Sequence, residues 1–142
     1  GEALARRARA SGVADRVRFL GQVADAQPLL ARAKVFVLTS RSEGLSIALA
    51  EAMAAGCVPV VVDVGDLGDL VATGQTGFLV RPGDATALAE RALEVLDDEP
   101  LRLRLSRSAA EKALAACGIE AVAARWRSAL GVVSGPSSAG RE

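Results

Sequence analysis

Apolar positions along the chain fall into short runs separated by glycine and charged turns, and the runs change period from helical to extended and back. Glu2 to Ala10 is built of helix formers with Arg6, Arg7 and Arg9 facing outward, and Gly12 stands where a left-handed cap would stop that helix. Val17 to Leu20, ahead of Gly21, predicts a short strand. Asp25 then predicts the cap of a second helix carrying Leu29, Leu30 and Ala33. Lys34 to Leu38 (KVFVL) is β-branched and aromatic, Ser46 to Ala55 reads as a helix closed by Gly56, and Val58 to Val62 (VPVVV) is apolar without alternation. Runs of that last kind belong to parallel strands covered on both faces.

Further along, Leu67 to Val71 predicts one helical turn, Gly77 to Val80 a strand, and Asp84 the cap of a helix reaching about Leu96. That helix places Leu88, Ala92, Val95 and Leu96 on one face and Glu90, Arg91 and Glu94 on the other. LRLRL at 101–105 alternates like a strand, yet Pro100 at a first-turn position and the Ala, Glu and Lys that follow favour a helix to Cys117. Ile119 to Leu130 predicts a last helix with Trp126 packed in the core, and residues 134–142 form a tail with nothing to bury, expected to be disordered. Four strands alternating with helices predict an α/β fold, a Rossmann-like doubly wound parallel sheet, occupying residues 1–133. On such a sheet ligands bind beyond the carboxyl ends of the strands, which points to Gly21 to Asp25, Thr39 to Ser46, Asp63 to Gly68 and Arg81 to Asp84.

Composition narrows the chemistry. The 142 residues carry 17 basic and 17 acidic side chains, three Phe, one Trp and no Tyr. Neutrality and few aromatic platforms argue against a nucleic-acid partner. The absence of His removes imidazole as base, zinc ligand or triad member. Cys57 and Cys117 lie 60 positions apart in apolar surroundings, the pattern of buried thiols in a reducing compartment rather than of a metal cluster. Leu45 to Val62 approaches the length of a membrane span, but Glu51, Gly56 and Pro59 interrupt it, so a soluble protein is expected. The start GEALARRARA has neither Met nor a cleavable apolar stretch, which predicts a fragment. Arg102, Arg104 and Arg107 are expected on a solvated helix face rather than at a membrane surface.

The segment from Ser40 to Val71 carries the candidate chemistry. Its helix is apolar around the whole circumference except at Glu51, which predicts burial of the helix and a polar partner or ligand for that carboxylate. Glu43 lies in the loop just before. Residues 44–47 would present unpaired amides at a helix amino end, where a phosphate is attracted, and Gly44 permits close approach. Taken singly, Glu43 is equally a solvated loop charge, Glu51 a partner for an arginine and Gly44 a simple turn.

Taken together the stretch resembles the retaining glycosyltransferase group 1 family. The resemblance rests on Glu43 and Glu51 with seven residues between them, EAMAAG at 51–56, VPVV at 58–61, Asp63-Val64-Gly65, GQTGFLV at 74–80 and Pro82-Gly83-Asp84. Upstream, VRFLG at 17–21 and the run Ala31 to Ser40 look similar to the same family, and the likeness covers roughly residues 1–130.

The resemblance implies a GT-B fold, of which this chain would be an incomplete carboxyl-terminal, donor-binding half. Glu51 would bond the ribose hydroxyls, and Glu43, the catalytic candidate, would lie beside the transferred sugar. The amides at Leu45, Ser46 and Ile47, with Gly44, would meet the diphosphate and sugar, and Gln22 and Val23 would line the base pocket. It implies hexosyl transfer from a nucleoside diphosphate sugar with retention, no metal and no other cofactor, through stabilisation of the departing diphosphate. It also implies a cytoplasmic protein, with peripheral contact at the inner membrane face through the full-length polypeptide. Two departures stand out. Gly65-Asp66 and Asp69 replace the family's Gly-Gly and Glu, with Asp66 expected to point outward. The family's first strand-helix-strand unit, with its Arg and Lys for the diphosphate, is missing, as is the amino-terminal acceptor domain. The sheet is therefore expected to have an open edge and the chain alone to be inactive. The competing expectation is a non-catalytic nucleotide-binding or interaction module that completes a partner's sheet. A phosphoryl receiver is excluded, because the only lysines are Lys34 and Lys112, neither placed for that chemistry.

Overall fold

The computed structural model describes residues 1–44 and 46–129. Three parallel strands, β1 (Val35–Leu38), β2 (Val58–Val62) and β3 (Phe78–Val80), lie side by side in chain order. Val35 pairs with Val58 and Val60 with Phe78, so β2 is central. Its side chains alternate between two cores. Val58 and Val60 join Phe78, Val80 and Val95 on one face, while Val61 joins Leu49, Met53, Leu67 and Val71 on the other. This two-sided burial accounts for the unbroken apolar run.

The helices are α1 (Glu2–Ala10), α2 (Gln27–Leu30), α3 (Ile47–Ala54), α4 (Ala85–Asp97), α5 (Glu99–Cys117) and α6 (Ile119–Ala129). α4 covers the face of Val58 and Val60, and α3 covers the opposite one. α5 serves both, giving Leu105 to the first core and Ala109 and Ala113 to the second. Its Ser106 hydroxyl donates to the Gly56 carbonyl, 2.7 Å, in the turn that feeds β2. Local signals set the helix ends. Asp84 and Asp98 accept from the amides of Ala87 and Leu101 at 2.9 and 2.8 Å, as N-cap side chains do. At Gly56, φ is 87°, and the amides of Gly56 and Cys57 bond the carbonyls of Met53 and Ala52. That is a Schellman ending, and a left-handed residue is what it requires.

Several expectations are corrected. Val17 to Leu20 forms no strand: no described strand runs beside it, and Phe19 and Leu20 are 50% and 54% exposed. A lone extended segment leaves its backbone unpaired, so the sheet has three strands where four were expected. The N-cap of α2 is Ala26 and not Asp25, which stands one residue earlier and accepts from the Gln27 amide at 2.9 Å, and the helix tightens after Leu30 into i→i+3 bonds at Arg32 and Ala33 and stops short of Ala33. Trp126 is 63% exposed because α6 packs on α5, away from the sheet. Arg104 and Arg107 are exposed, as expected of a solvated face, with Arg104 donating to the Gly74 carbonyl, whereas Arg102 is half-buried and held by Glu99 and the Leu96 carbonyl. Leu130 and the tail at 134–142 lie outside the described residues. No strand among the described residues pairs with the outer edge of β1, and no described helix is long and apolar enough to cross a membrane.

Cys57 is fully buried and its thiol reaches the carbonyls of Leu30 and Ala33, 3.2 and 3.6 Å away, tying the α2 segment to the turn before β2. Burial raises its pKa above the ordinary 9.0, because a thiolate would be desolvated there. A raised folded pKa stabilises below the unfolded pKa and loses that contribution as pH rises. Unfolding free energy should therefore fall as pH rises beyond 9.0, and less steeply in Cys57→Ala. Denaturant titrations across that range check this; equal slopes in the two proteins would contradict it.

Candidate functional site

The loops that leave the carboxyl ends of β1, β2 and β3 meet on one side of the sheet. The first, residues 39–46, leads from β1 to the amino end of α3. Ser46 is buried and its hydroxyl accepts from the Leu49 amide at 3.3 Å, capping the helix. The amides of Ser46, Ile47 and Ala48 have no partner among the described residues, and their dipoles leave a positive end at this mouth. Gly44 is exposed with open space where a Cβ would stand. Leu45, expected to supply a further amide, lies outside the described residues. Half-buried Glu43 accepts a 2.6 Å hydrogen bond from the Ser40 hydroxyl at Oε1.

The loop after β2 braces this segment. Gly65 adopts φ 55°, and a Cβ built on it would lie 1.6 Å from the Glu43 carbonyl oxygen. Only a glycine permits that approach, and its left-handed backbone adds a second reason for the residue. Asp66 and Asp69 are both exposed.

Glu51 is exposed, and its helix is not enclosed as its apolar circumference predicted. Leu49, Ala52 and Met53 face the core, whereas Ile47, Ala48, Glu51 and Ala54 form an outward strip, with Ile47 71% exposed. Alanines make both sides of the helix read alike, so the pattern alone hides its orientation. Glu51 makes no ion pair among the described residues. It lines an apolar groove of about 360 Å³ between α3, α5 and α6, together with Ile47, Leu114, Cys117 and Arg125.

A second cleft, of about 340 Å³, opens at the strand ends. Thr39, Ser40 and Arg41 form one wall, Pro82, Gly83 and Asp84 the other, and Val62 and Leu88 lie between. The expected residues are thus divided. Ile47 and Glu51 share the groove; Glu43 is linked through Ser40 to the cleft. Gln22 and Val23 are exposed and line neither space. Sequence reasoning flagged the loops holding Thr39, Arg41 and Gly83 but not those residues. Arg125 and Leu114 carried no signal, since the approach of α5 and α6 to α3 is a tertiary event. Among the described residues no group of His, Cys, Asp or Glu is placed to hold a metal ion.

A family model described as glycosyl transferases group 1 matches residues 1–98. N-acetyl-alpha-D-glucosaminyl L-malate synthase of Bacillus anthracis is 35% identical over 99 residues, 70% of this chain and 26% of that protein. The lipopolysaccharide core biosynthesis mannosyltransferase LpcC of Rhizobium leguminosarum is 33% identical over 124 residues, 87% of this chain and 34% of that one. The chain therefore spans about a quarter to a third of these relatives. Among solved structures, HepE of Anabaena in complex with UDP superposes with a TM-score of 0.86 at 26% identity, covering 93% of this chain and 36% of that one. The same protein has been solved with UDP-glucose. The carboxyl-terminal domain of LpcC from Francisella tularensis shares the fold, with a TM-score of 0.74 at 23% identity over 83% of this chain and 62% of that one.

The Gly65 contact can be isolated by comparison with Gly74, which has φ 76° and no atom within 4 Å of an added Cβ. A left-handed non-glycine residue costs about 1–2 kcal/mol, so Gly74→Ala should lose about that much stability. Gly65→Ala should lose clearly more and should shift the amide resonances of Glu43 and Gly44. Equal losses, with those resonances unmoved, would contradict the brace.

Proposed function

Because this chain belongs to the glycosyl transferases group 1 family, we propose that it forms the donor-binding part of a retaining glycosyltransferase, which moves a hexosyl unit from a nucleoside diphosphate sugar to an acceptor. Its fold is that of the Rossmann-like carboxyl-terminal half of a GT-B enzyme, and relatives of this fold are glycosyltransferases, one of them solved with UDP and with UDP-glucose.

One observation carries the reading: a single helix offers, at its mouth, amides without a partner among the described residues and, one turn further in, an exposed carboxylate that pairs with none of them. α3 rises about 1.5 Å per residue, so Glu51 stands about 6 Å along the axis from Ile47. In this reading the amides of Ser46 and Ile47 take diphosphate oxygens, whose charge the helix dipole favours. Glu51 accepts hydrogen bonds from the ribose hydroxyls, and Gly44 leaves room for the ligand to approach. Glu43 stands beside the transferred sugar, and Gln22 and Val23 flank the base.

The chemistry asked of these residues is electrostatic. As the sugar–phosphate bond breaks, negative charge gathers on the departing diphosphate, and fixed donors at the helix mouth lower the barrier by meeting it. A helix end contributes about 0.3–1 kcal/mol when exposed, so transfer requires further cations, which the family's preceding strand-helix-strand unit supplies. The 142 residues alone then transfer no sugar. No metal is needed in this mechanism.

Calorimetric titration of the full polypeptide with UDP, GDP and ADP should give micromolar-range binding of one of them. Glu51→Gln should weaken that binding about tenfold, the loss of charge-assisted hydrogen bonds. Affinity retained within a factor of two would remove Glu51 from the ribose.

A further inference from the structure

Glu43 is restrained from two sides by residues with no part in the reading so far. Its backbone is pinned by Gly65, whose Cα presses so closely on the Glu43 carbonyl that an added Cβ would stand 1.6 Å from the oxygen. With the main chain fixed, the remaining freedom is in the side-chain torsions. The Ser40 hydroxyl removes it, donating to Oε1 at 2.6 Å, the short distance of a hydrogen bond to an ionised acceptor.

We propose that Ser40 is a positioning residue that aims the Glu43 carboxylate at the donor sugar, an inference that rests on the role of Glu43 given above. The bond engages Oε1 and leaves Oε2, which has no hydrogen-bond partner among the described residues, to accept from the sugar. Ser40 is well placed for this. It is half-buried, stands two residues after the end of β1, and lines the cleft at the strand ends, so its own position is set by the strand. A flexible Glu would lose rotamer entropy on meeting a sugar hydroxyl; one already held loses little.

The clamp acts on the sugar and not on the nucleotide, which gives it a readout that general damage to the fold would not produce. The test uses the full polypeptide, titrated with UDP-glucose, GDP-mannose and ADP-glucose and with the matching diphosphates. Ser40→Ala should weaken binding of the preferred nucleotide sugar about tenfold while its diphosphate binds within twofold of the parent. Ser40→Thr, which keeps the hydroxyl, should restore most of the loss. In a Glu43→Ala background, Ser40→Ala should have no further effect, since a residue acting only through its partner is silent without it.

Equal weakening of sugar nucleotide and diphosphate, or a Ser40→Ala loss that persists without Glu43, would overturn the clamp and leave the role of Glu43 intact. Glu43→Ala with undiminished preference for the sugar nucleotide would instead remove Glu43 from the sugar, and the inference with it. Failure of the parent to bind any of the six probes would defeat the donor-binding reading itself.

Discussion

The amino end of α3 is the constraint on which the site depends. A helix leaves its first amides without internal partners, and here Ser46 satisfies only that of Leu49. The amides of Ile47 and Ala48 remain unpaired among the described residues. They stay where they are because α3 is anchored elsewhere: Leu49, Ala52 and Met53 are buried against β2, the turn at Leu67 and α5. Stability thus comes from one side of the helix, and the polar end is left available to a ligand.

That division continues along the helix. The outward strip of Ile47, Ala48, Glu51 and Ala54 is exposed and lies outside the cores of the sheet. Ile47 is 71% exposed and shares its side of the helix with Glu51, which makes no ion pair among the described residues. The loops add precision. Gly65 locks the turn after β2 onto the turn after β1, so the ends of two strands behave as one support for Glu43.

Much of this is legible in the sequence, and what is hidden has a common cause. The run at 58–62, the cap at Asp84 and the glycine after α3 act within a few residues, and each stands where local chemistry places it; the caps at Ser46 and Asp98 use the same local chemistry but were not read from the sequence. The segment 17–20 carries strand chemistry, but a strand exists only with a partner, and among the described residues there is none. The orientation of α3 was unreadable because alanine marks neither the buried nor the exposed side. Trp126 and the tethers of Arg102 and Arg104 depend on how α5 and α6 settle, which periodicity does not encode. Of the proposed site, the pair of glutamates stood out only through the family resemblance of the stretch around it, whereas the hydroxyl and the glycine that restrain Glu43 show their contacts only in three dimensions.

The most direct measurement is a crystal structure of the full polypeptide with the nucleoside diphosphate that it binds most tightly. The account requires diphosphate oxygens within about 3.2 Å of the Ser46 or Ile47 amides, and the Glu51 carboxylate within the same distance of a ribose hydroxyl. A nucleotide seated elsewhere, with the mouth of α3 and Glu51 left in water, would contradict it.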